Sequence, residues 1–124
     1  MPPVTTIFFA TDVHGSDICW KKFISGGKFY KADIIILGGD MTGKAIVPII
    51  HQGGETWKAV LLEQAFMLHG EAEVAEMSQK ITSRGYYPYR TTSEELGELS
   101  AHPEKIDRIF ASEVLKRAEQ WLAY

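Results

Sequence analysis

The sequence has little of what marks secreted or membrane proteins. Cys19 is the only cysteine in 124 residues, so no disulfide can form within the chain, and a reducing compartment is the simplest inference. The apolar runs IFFA and IIIL are far shorter than the about 20 residues that a membrane-spanning helix requires. The start, MPPVTTIFFA, lacks the basic region and the long apolar stretch of a secretory signal. We therefore expect a cytoplasmic protein without a membrane segment.

An excess of basic charge is also missing. The chain has 13 lysines and arginines against 16 aspartates and glutamates, which gives a net charge of −3 and a pI near 5.8. Proteins that bind nucleic acid normally carry a basic face, so no nucleic-acid partner is expected. Hydrophobic residues make up 45% and charged residues 23% of the chain, as in ordinary globular proteins. The length fits one domain.

The first third of the chain predicts a βαβ unit. Val4–Thr11 and Ala32–Leu37 are short apolar runs that predict strands buried on both faces. Ser16 can cap a helix from Asp17 to about Ile24, which we expect to end at Gly26-Gly27. Two strands joined by a helix should lie parallel and adjacent. Cys19 in this helix is expected to be a small buried side chain.

The middle of the chain predicts a β-hairpin. Ala45–His51 and Glu55–Leu62 flank a Gly-Gly turn, and Ala65–Leu68 predicts a third short strand. Pro48 favours an edge position for its strand, because proline cannot donate a ladder hydrogen bond.

The rest of the chain predicts mainly helix. Apolar residues at helical spacing predict a helix over Glu71 to about Ser83, with Gly85 ending it. Tyr86–Tyr89 predicts an aromatic loop, Glu94–Leu99 a helical segment, and Pro103 the start of a last helix. One apolar face is expected on that helix, formed by Ile106, Ile109, Phe110, Val114, Leu115, Ala118, Trp121 and Leu122.

Polar residues follow both strands of the predicted βαβ unit. Asp12 and His14 come after the first strand, and Asp40 comes after the second. Ligands of open α/β sheets bind at the carboxyl ends of strands, so these side chains should lie together. Carboxylates and imidazole suit Mn, Fe, Zn or related divalent ions. Singly, each could be a capping, loop or turn residue. Three unpaired polar groups at one apolar edge would be costly, which favours a metal site.

The segments TDVHG at 11–15 and IIILGGDMTG at 34–43 resemble the first two blocks of the calcineurin-like metallophosphoesterases. The resemblance implies the N-terminal half of an α/β sandwich: a βαβ core in residues 1–45, a β-hairpin insertion in 46–70 and a helical segment in 71–124. It further implies that Asp12 and His14 hold one divalent ion and that Asp40 bridges two, which would be Mn, Fe, Zn or Co. The implied reaction is hydrolysis of a phosphomonoester or phosphodiester by a metal-bound hydroxide.

The later blocks of that family are absent from the sequence. They are a Gly-Asn-His-Asp/Glu block, a lone histidine and a Gly-His-x-His block, which complete the metal sites and supply the general-acid histidine. His51, His69 and His102 have other neighbours and are expected in loops or on the surface. Gly43 stands where many members have aspartate. We expect a truncated domain that is inactive or binds metal weakly, and that self-associates through uncovered apolar surface.

Two other interpretations use the same residues. Gly38–Lys44 matches most of a phosphate-binding Walker A loop, although Ala45 lacks the hydroxyl that would hold magnesium, and the following residues favour a strand over the required helix. Alternatively the chain is a non-catalytic interaction module, with the predicted aromatic loop Tyr86–Tyr89 as its contact surface.

Overall fold

The chain folds around two separate β-sheets. The computed structural model describes residues 3–124, which form four helices, a two-stranded parallel sheet and a four-stranded mixed sheet. In chain order the elements are β1 (Ile7–Ala10), α1 (Asp17–Phe29), β2 (Ile34–Leu37), β3 (Ile46–Gly53), β4 (Thr56–Leu61), β5 (Gln64–His69), α2 (Glu71–Ser83), β6 (Tyr87–Thr92), α3 (Ser93–Ala101) and α4 (Pro103–Ala123).

The predicted βαβ unit is confirmed. Strands β1 and β2 are parallel neighbours, paired from Ile7 opposite Ile34 to Ala10 opposite Leu37. Helix α1 connects them and begins where predicted, because the Ser16 hydroxyl accepts a hydrogen bond from a backbone N–H in its first turn.

Two predictions about helix α1 are wrong. The helix does not end at Gly26-Gly27 but continues to Phe29. Both glycines serve close packing instead, since a Cβ on Gly26 would lie 2.6 Å from the ring of Phe8, and one on Gly27 would lie 2.5 Å from Ile35 Cγ2. Cys19 is exposed rather than buried, because its position on the helix faces away from the core.

Strands β1 and β2 are not buried on both faces, contrary to the prediction. Phe8 packs against Phe23 of α1, and a small core forms there around Val13, Trp20, Phe23 and Trp121. Helix α1 covers that face only. On the opposite face Ile7, Phe9, Ile34 and Ile36 are exposed, and we call these four side chains the open face.

The predicted hairpin and third strand are confirmed in the second sheet, whose strand order is β5-β4-β3-β6. The edge position predicted from Pro48 is wrong, since β3 lies between β4 and β6. Pro48 lies opposite Tyr89 of β6, and the pairing of β3 with β4 begins only at Ile49, so Pro48 has no partner residue on the β4 side.

Strand β6 was not foreseen. The segment predicted as an aromatic loop pairs in parallel with β3, from Tyr87 opposite Ile46 to Thr92 opposite His51. Residues 71–124 are therefore not helical throughout. Helix α2 packs on one face of this sheet through Val74, Met77 and Ile81, and α3 and α4 lie on the other.

The predicted helix over 71–83 is confirmed at both bounds, and the last helix begins at Pro103 as predicted. The apolar face predicted for this last helix is only partly buried, since Trp121 is buried whereas Leu115 and Leu122 are exposed. Across residues 3–124, none of the helices combines the length and the apolar character needed to cross a membrane.

Candidate metal centre

The loops that follow β1 and β2 run side by side. The parallel pairing of the strands continues past their ends, because the Asp12 N–H donates to the Gly39 carbonyl (3.3 Å) and the His14 N–H donates to the Asp40 carbonyl (2.8 Å). The Gly15 N–H then donates to the Met41 carbonyl at 2.8 Å. We call residues 11–16 the first ligand loop and residues 38–43 the second ligand loop. The backbone thus fixes the two loops against each other.

The spacing Asp-x-His has a structural reason. Val13, between the two polar residues, is 4% exposed and packs in the core beside α1. Asp12 and His14 are both exposed, so the buried valine turns its neighbours outward. Burial of one apolar side chain therefore presents a carboxylate and an imidazole at the same edge of the sheet.

The structure brings the three predicted ligands together. Asp12, His14 and Asp40 each offer one ligand atom, and these atoms lie within 4.8 Å of one another. His14 Nε2 is 3.6 Å from Asp12 Oδ1. Within residues 3–124 these three form the one such group of histidine, cysteine or acidic side chains. Two carboxylates and an imidazole are a donor set that divalent transition metals accept.

All three candidate ligands have a left-handed backbone. Their φ angles are +61° at Asp12, +51° at His14 and +52° at Asp40, and they account for three of the six non-glycine residues with positive φ in residues 3–124. Aspartate and histidine tolerate this region better than most residues, but it still costs free energy. Such local strain concentrates at functional sites, where surrounding structure maintains it.

The carboxyl groups of Asp12 and Asp40 lie close enough to affect each other's protonation. Hydrogen bonding between the Asp12 and Asp40 carboxyl groups raises the pKa of Asp12, and partial desolvation and the negative charge of Asp40 raise it further. The nearby imidazole of His14 acts in the opposite direction. A bound cation would remove the repulsion, so the electrostatics of the group favour a positive ligand.

Three glycines allow the ligand loops to pack against the turn after α2. A Cβ on Gly15 would lie 2.5 Å from the Gly43 Cα, and one on Gly43 would lie 2.6 Å from the Gly85 carbonyl oxygen. A Cβ on Gly85 would lie 2.2 Å from the His14 carbonyl oxygen. This contact gives a physical reason for glycine at position 43, because no side chain fits there.

Sequence reasoning missed two residues that support the second ligand loop. Tyr87 is 1% exposed, and its hydroxyl accepts a hydrogen bond from the Gly43 N–H at 2.6 Å. The Gly85 carbonyl accepts one from the Lys44 N–H at 2.8 Å. The glycine was expected only as a helix stop and the tyrosine as part of a loop, and neither position carries a local signal for this role.

The other histidines do not join the group. His51 lies in β3 and its ring contacts the Gly54 carbonyl, His69 ends β5, and His102 lies between α3 and α4. A cavity of about 640 Å³ lies away from this group, between the β4–β5 turn and α2. None of its lining residues is a candidate ligand.

Comparisons of the chain with protein-family models, with curated proteins and with solved structures find no match.

Proposed function

We propose that this chain contributes the Asp12, His14 and Asp40 ligands of a metal-dependent phosphoesterase site. The observation that carries the proposal is the meeting of these three side chains at the carboxyl edge of two adjacent parallel strands. The resemblance of the two ligand loops to the first blocks of the metallophosphoesterases supplies the reaction class, hydrolysis of a phosphomonoester or phosphodiester.

A divalent ion fits the residues present. The ligand atoms are close enough to share one ion, and the side chains are open to solvent. The pKa of Asp12 is raised first by its hydrogen bond with the Asp40 carboxyl group and further by the negative charge of Asp40, which a cation would neutralise. Three protein ligands leave coordination positions free, as in catalytic metal sites. A phosphate oxygen or a water molecule can take those positions.

Each side chain has a distinct part in this proposal. The Asp12 and Asp40 carboxylates supply the negative charge that holds the cation, and Asp40 has a second oxygen with which to reach a further ion. His14 contributes a neutral ring nitrogen. Gly39 has no atoms within 4 Å of where its Cβ would be, so a phosphate group can approach the second loop closely. A bound divalent ion would supply Lewis-acid chemistry at phosphorus and lower the pKa of a water molecule.

Two observations argue against the nucleotide-binding alternative. A Walker A loop leads into a helix, whereas the residues after Lys44 form strand β3. The Lys44 ammonium lies over the ring of Tyr86, 5.3 Å from its centroid, and its backbone N–H bonds to Gly85. The lysine is held by the turn after α2.

The interaction-module alternative relied on an aromatic loop at Tyr86–Tyr89 as its contact surface, and that loop is not present. The segment taken as an exposed aromatic loop is strand β6, and Tyr87 at its start is almost fully buried. The open face is exposed apolar surface that favours association, but it does not explain why Asp12, His14 and Asp40 lie together.

Calorimetric titration with Mn²⁺ tests the proposal. We expect saturable heat with the wild-type chain and its loss in Asp40→Asn, because the amide is a weaker ligand and carries no charge. Asp107→Asn is the matched control, since it removes an exposed carboxylate on α4 outside the group. Identical heats from wild type and Asp40→Asn would remove Asp40 from any metal site.

An activity assay tests the reaction class separately. Because the later ligand blocks are absent from the sequence, we expect little or no turnover of a generic aryl phosphodiester by this chain, and any turnover that depends on Mn²⁺ should disappear in Asp12→Ala. Metal binding without turnover would support the site but not the proposed reaction in this chain. Turnover that persists in Asp12→Ala would contradict both.

A further inference from the structure

A buried arginine from the last helix reaches the first ligand loop. Arg117 of α4 is 7% exposed, and its Nη1 donates to the carbonyl oxygen of Gly15 at 2.5 Å. Gly15 directly follows the candidate ligand His14. The two bonded residues are 102 positions apart in the sequence, so the contact is made only by the tertiary fold.

The same guanidinium group connects the loop to the second sheet. It donates to the Tyr86 carbonyl from both Nη1 and Nη2 at 3.4 Å, and Nη2 lies 3.5 Å from the Thr82 hydroxyl. The guanidinium carbon of Arg117, Cζ, lies 4.5 Å from the centroid of the Tyr87 ring. One planar group therefore joins the first ligand loop, the end of α2 and the start of β6, which a lysine could not do with a single ammonium.

Helix α4 also lies next to the second ligand loop. Met41 and Thr42 line a small apolar cavity of about 180 Å³ together with Arg117 and Trp121. The Trp121 indole N–H donates to Asp17 at the start of α1 at 2.7 Å, and Arg117 Nε is 3.9 Å from the same carboxylate. These contacts fix α4 against the start of α1, which directly follows the first ligand loop.

The charge of Arg117 is expensive where it lies. Burial lowers the pKa of Arg117, while the carboxylate of Asp17 partly opposes this effect. The guanidinium remains charged, because arginine is not deprotonated in proteins. In some proteins a buried cation is retained despite this cost because its fixed donors specify one arrangement of the structure. Here that arrangement is the left-handed turn at His14 and Gly15.

We propose that Arg117 is a positioning residue for the candidate metal site: by holding the Gly15 carbonyl against β6, it orients Asp12 and His14 toward Asp40. This inference rests on the proposed function of that site. It makes metal affinity depend on α4, a helix that contributes no ligand to the group.

Two measurements on Arg117→Met test the inference. The dissociation constant for Mn²⁺ should rise about 10- to 100-fold, the range expected when a residue that orients metal ligands is removed. In the metal-free Arg117→Met variant, the backbone amide hydrogens of His14 and Gly15 should exchange with solvent faster than global unfolding alone would permit. The Ile49 amide in the centre of the second sheet reports global unfolding in the same experiment.

Three further variants serve as controls. Met77→Ala opens a cavity in the core between α2 and the second sheet and destabilises the fold without touching the ligand loops. Lys116→Met removes a neighbouring exposed charge from α4. Both should keep the wild-type affinity for Mn²⁺ and the wild-type exchange of His14 and Gly15 relative to Ile49. Arg117→Lys keeps one donor for the Gly15 carbonyl and should recover part of the affinity and of the amide protection.

The outcomes separate the two proposals. If Arg117→Met binds Mn²⁺ as wild type does, or if Met77→Ala weakens binding equally, Arg117 has no positioning role, and the metal site itself stands. If the wild-type chain binds no Mn²⁺, the proposed function fails. The amide-exchange comparison needs no metal, so it then decides by itself whether Arg117 orders the first ligand loop.

Discussion

Gly85 and His14 are in direct backbone contact, with no room for a side chain between them. A Cβ on Gly85 would lie 2.2 Å from the His14 carbonyl oxygen, and Gly85 itself has a φ of +84°. The turn after α2 therefore supports a candidate ligand that precedes it by about seventy positions. The four-stranded sheet and its helices are in this way part of the structure that fixes the ligand loops.

Gly85→Ala should destabilise the fold strongly. The left-handed backbone costs an alanine about 1 to 2 kcal/mol, and the overlap with His14 adds about 1 to 3 kcal/mol, so we expect a loss of about 2 to 5 kcal/mol. Urea denaturation measures the loss as a lower midpoint at an unchanged slope.

Gly54→Ala is the matched control for that substitution. Gly54 also has a positive φ, +54°, but no atom lies within 4 Å of where its Cβ would be. It should lose only the backbone contribution, about 1 to 2 kcal/mol. Equal losses in the two variants would show that the contact between Gly85 and His14 contributes nothing.

The sequence predicted those elements whose signals are local. Helix α2 was placed at both bounds because its apolar spacing and the following glycine lie within one short segment. Strand β6 was missed because Pro88 and three tyrosines favour a loop when read locally. Its strand character comes from parallel pairing with β3, about forty positions earlier, which no local pattern encodes.

The same distinction applies to the candidate site. Asp12, His14 and Asp40 could be predicted to meet because strand topology alone places the ends of β1 and β2 together. The supports of the site could not be predicted. Arg117 reads as an ordinary charged position on an amphipathic helix, and only the packing of α4 brings it to the ligand loop.

Asp12→Asn should stabilise the metal-free protein at neutral pH. Because Asp40 raises the pKa of Asp12 in the folded state, the protonated form of Asp12 favours folding, and this contribution is lost as the pH rises through the raised pKa. Relief of the repulsion by the amide should raise the unfolding temperature at pH 7. The part of the gain that comes from repulsion should vanish below the ordinary pKa near 3.8, where Asp12 is protonated in both the folded and the unfolded state.

Thermal unfolding across that pH range, with and without Mn²⁺, measures the effect. Asparagine also suits the left-handed backbone at this position, which adds a gain at every pH, so the pH-dependent part is the signature of repulsion. Added Mn²⁺ should stabilise the wild type more than Asp12→Asn, because binding favours the folded state. A gain that does not change with pH would argue against repulsion between the two carboxylates.

The open face of the two-stranded sheet should make the chain self-associate. Its side chains are 55% exposed at Ile7, 62% at Phe9, 47% at Ile34 and 41% at Ile36. Parallel sheets are almost always covered on both faces, and contiguous exposed apolar surface favours association. Phe9→Ser removes the largest side chain of this face and should shift sedimentation toward the monomer.

Met67→Ser separates the open face from general surface hydrophobicity. Met67 is 55% exposed on strand β5 of the other sheet, so its replacement removes a similarly exposed apolar side chain outside the open face. Met67→Ser should associate to the same extent as the wild-type chain at every protein concentration. A wild-type chain that sediments as a monomer throughout, or an equal effect of the two substitutions, would mean that the open face does not drive association.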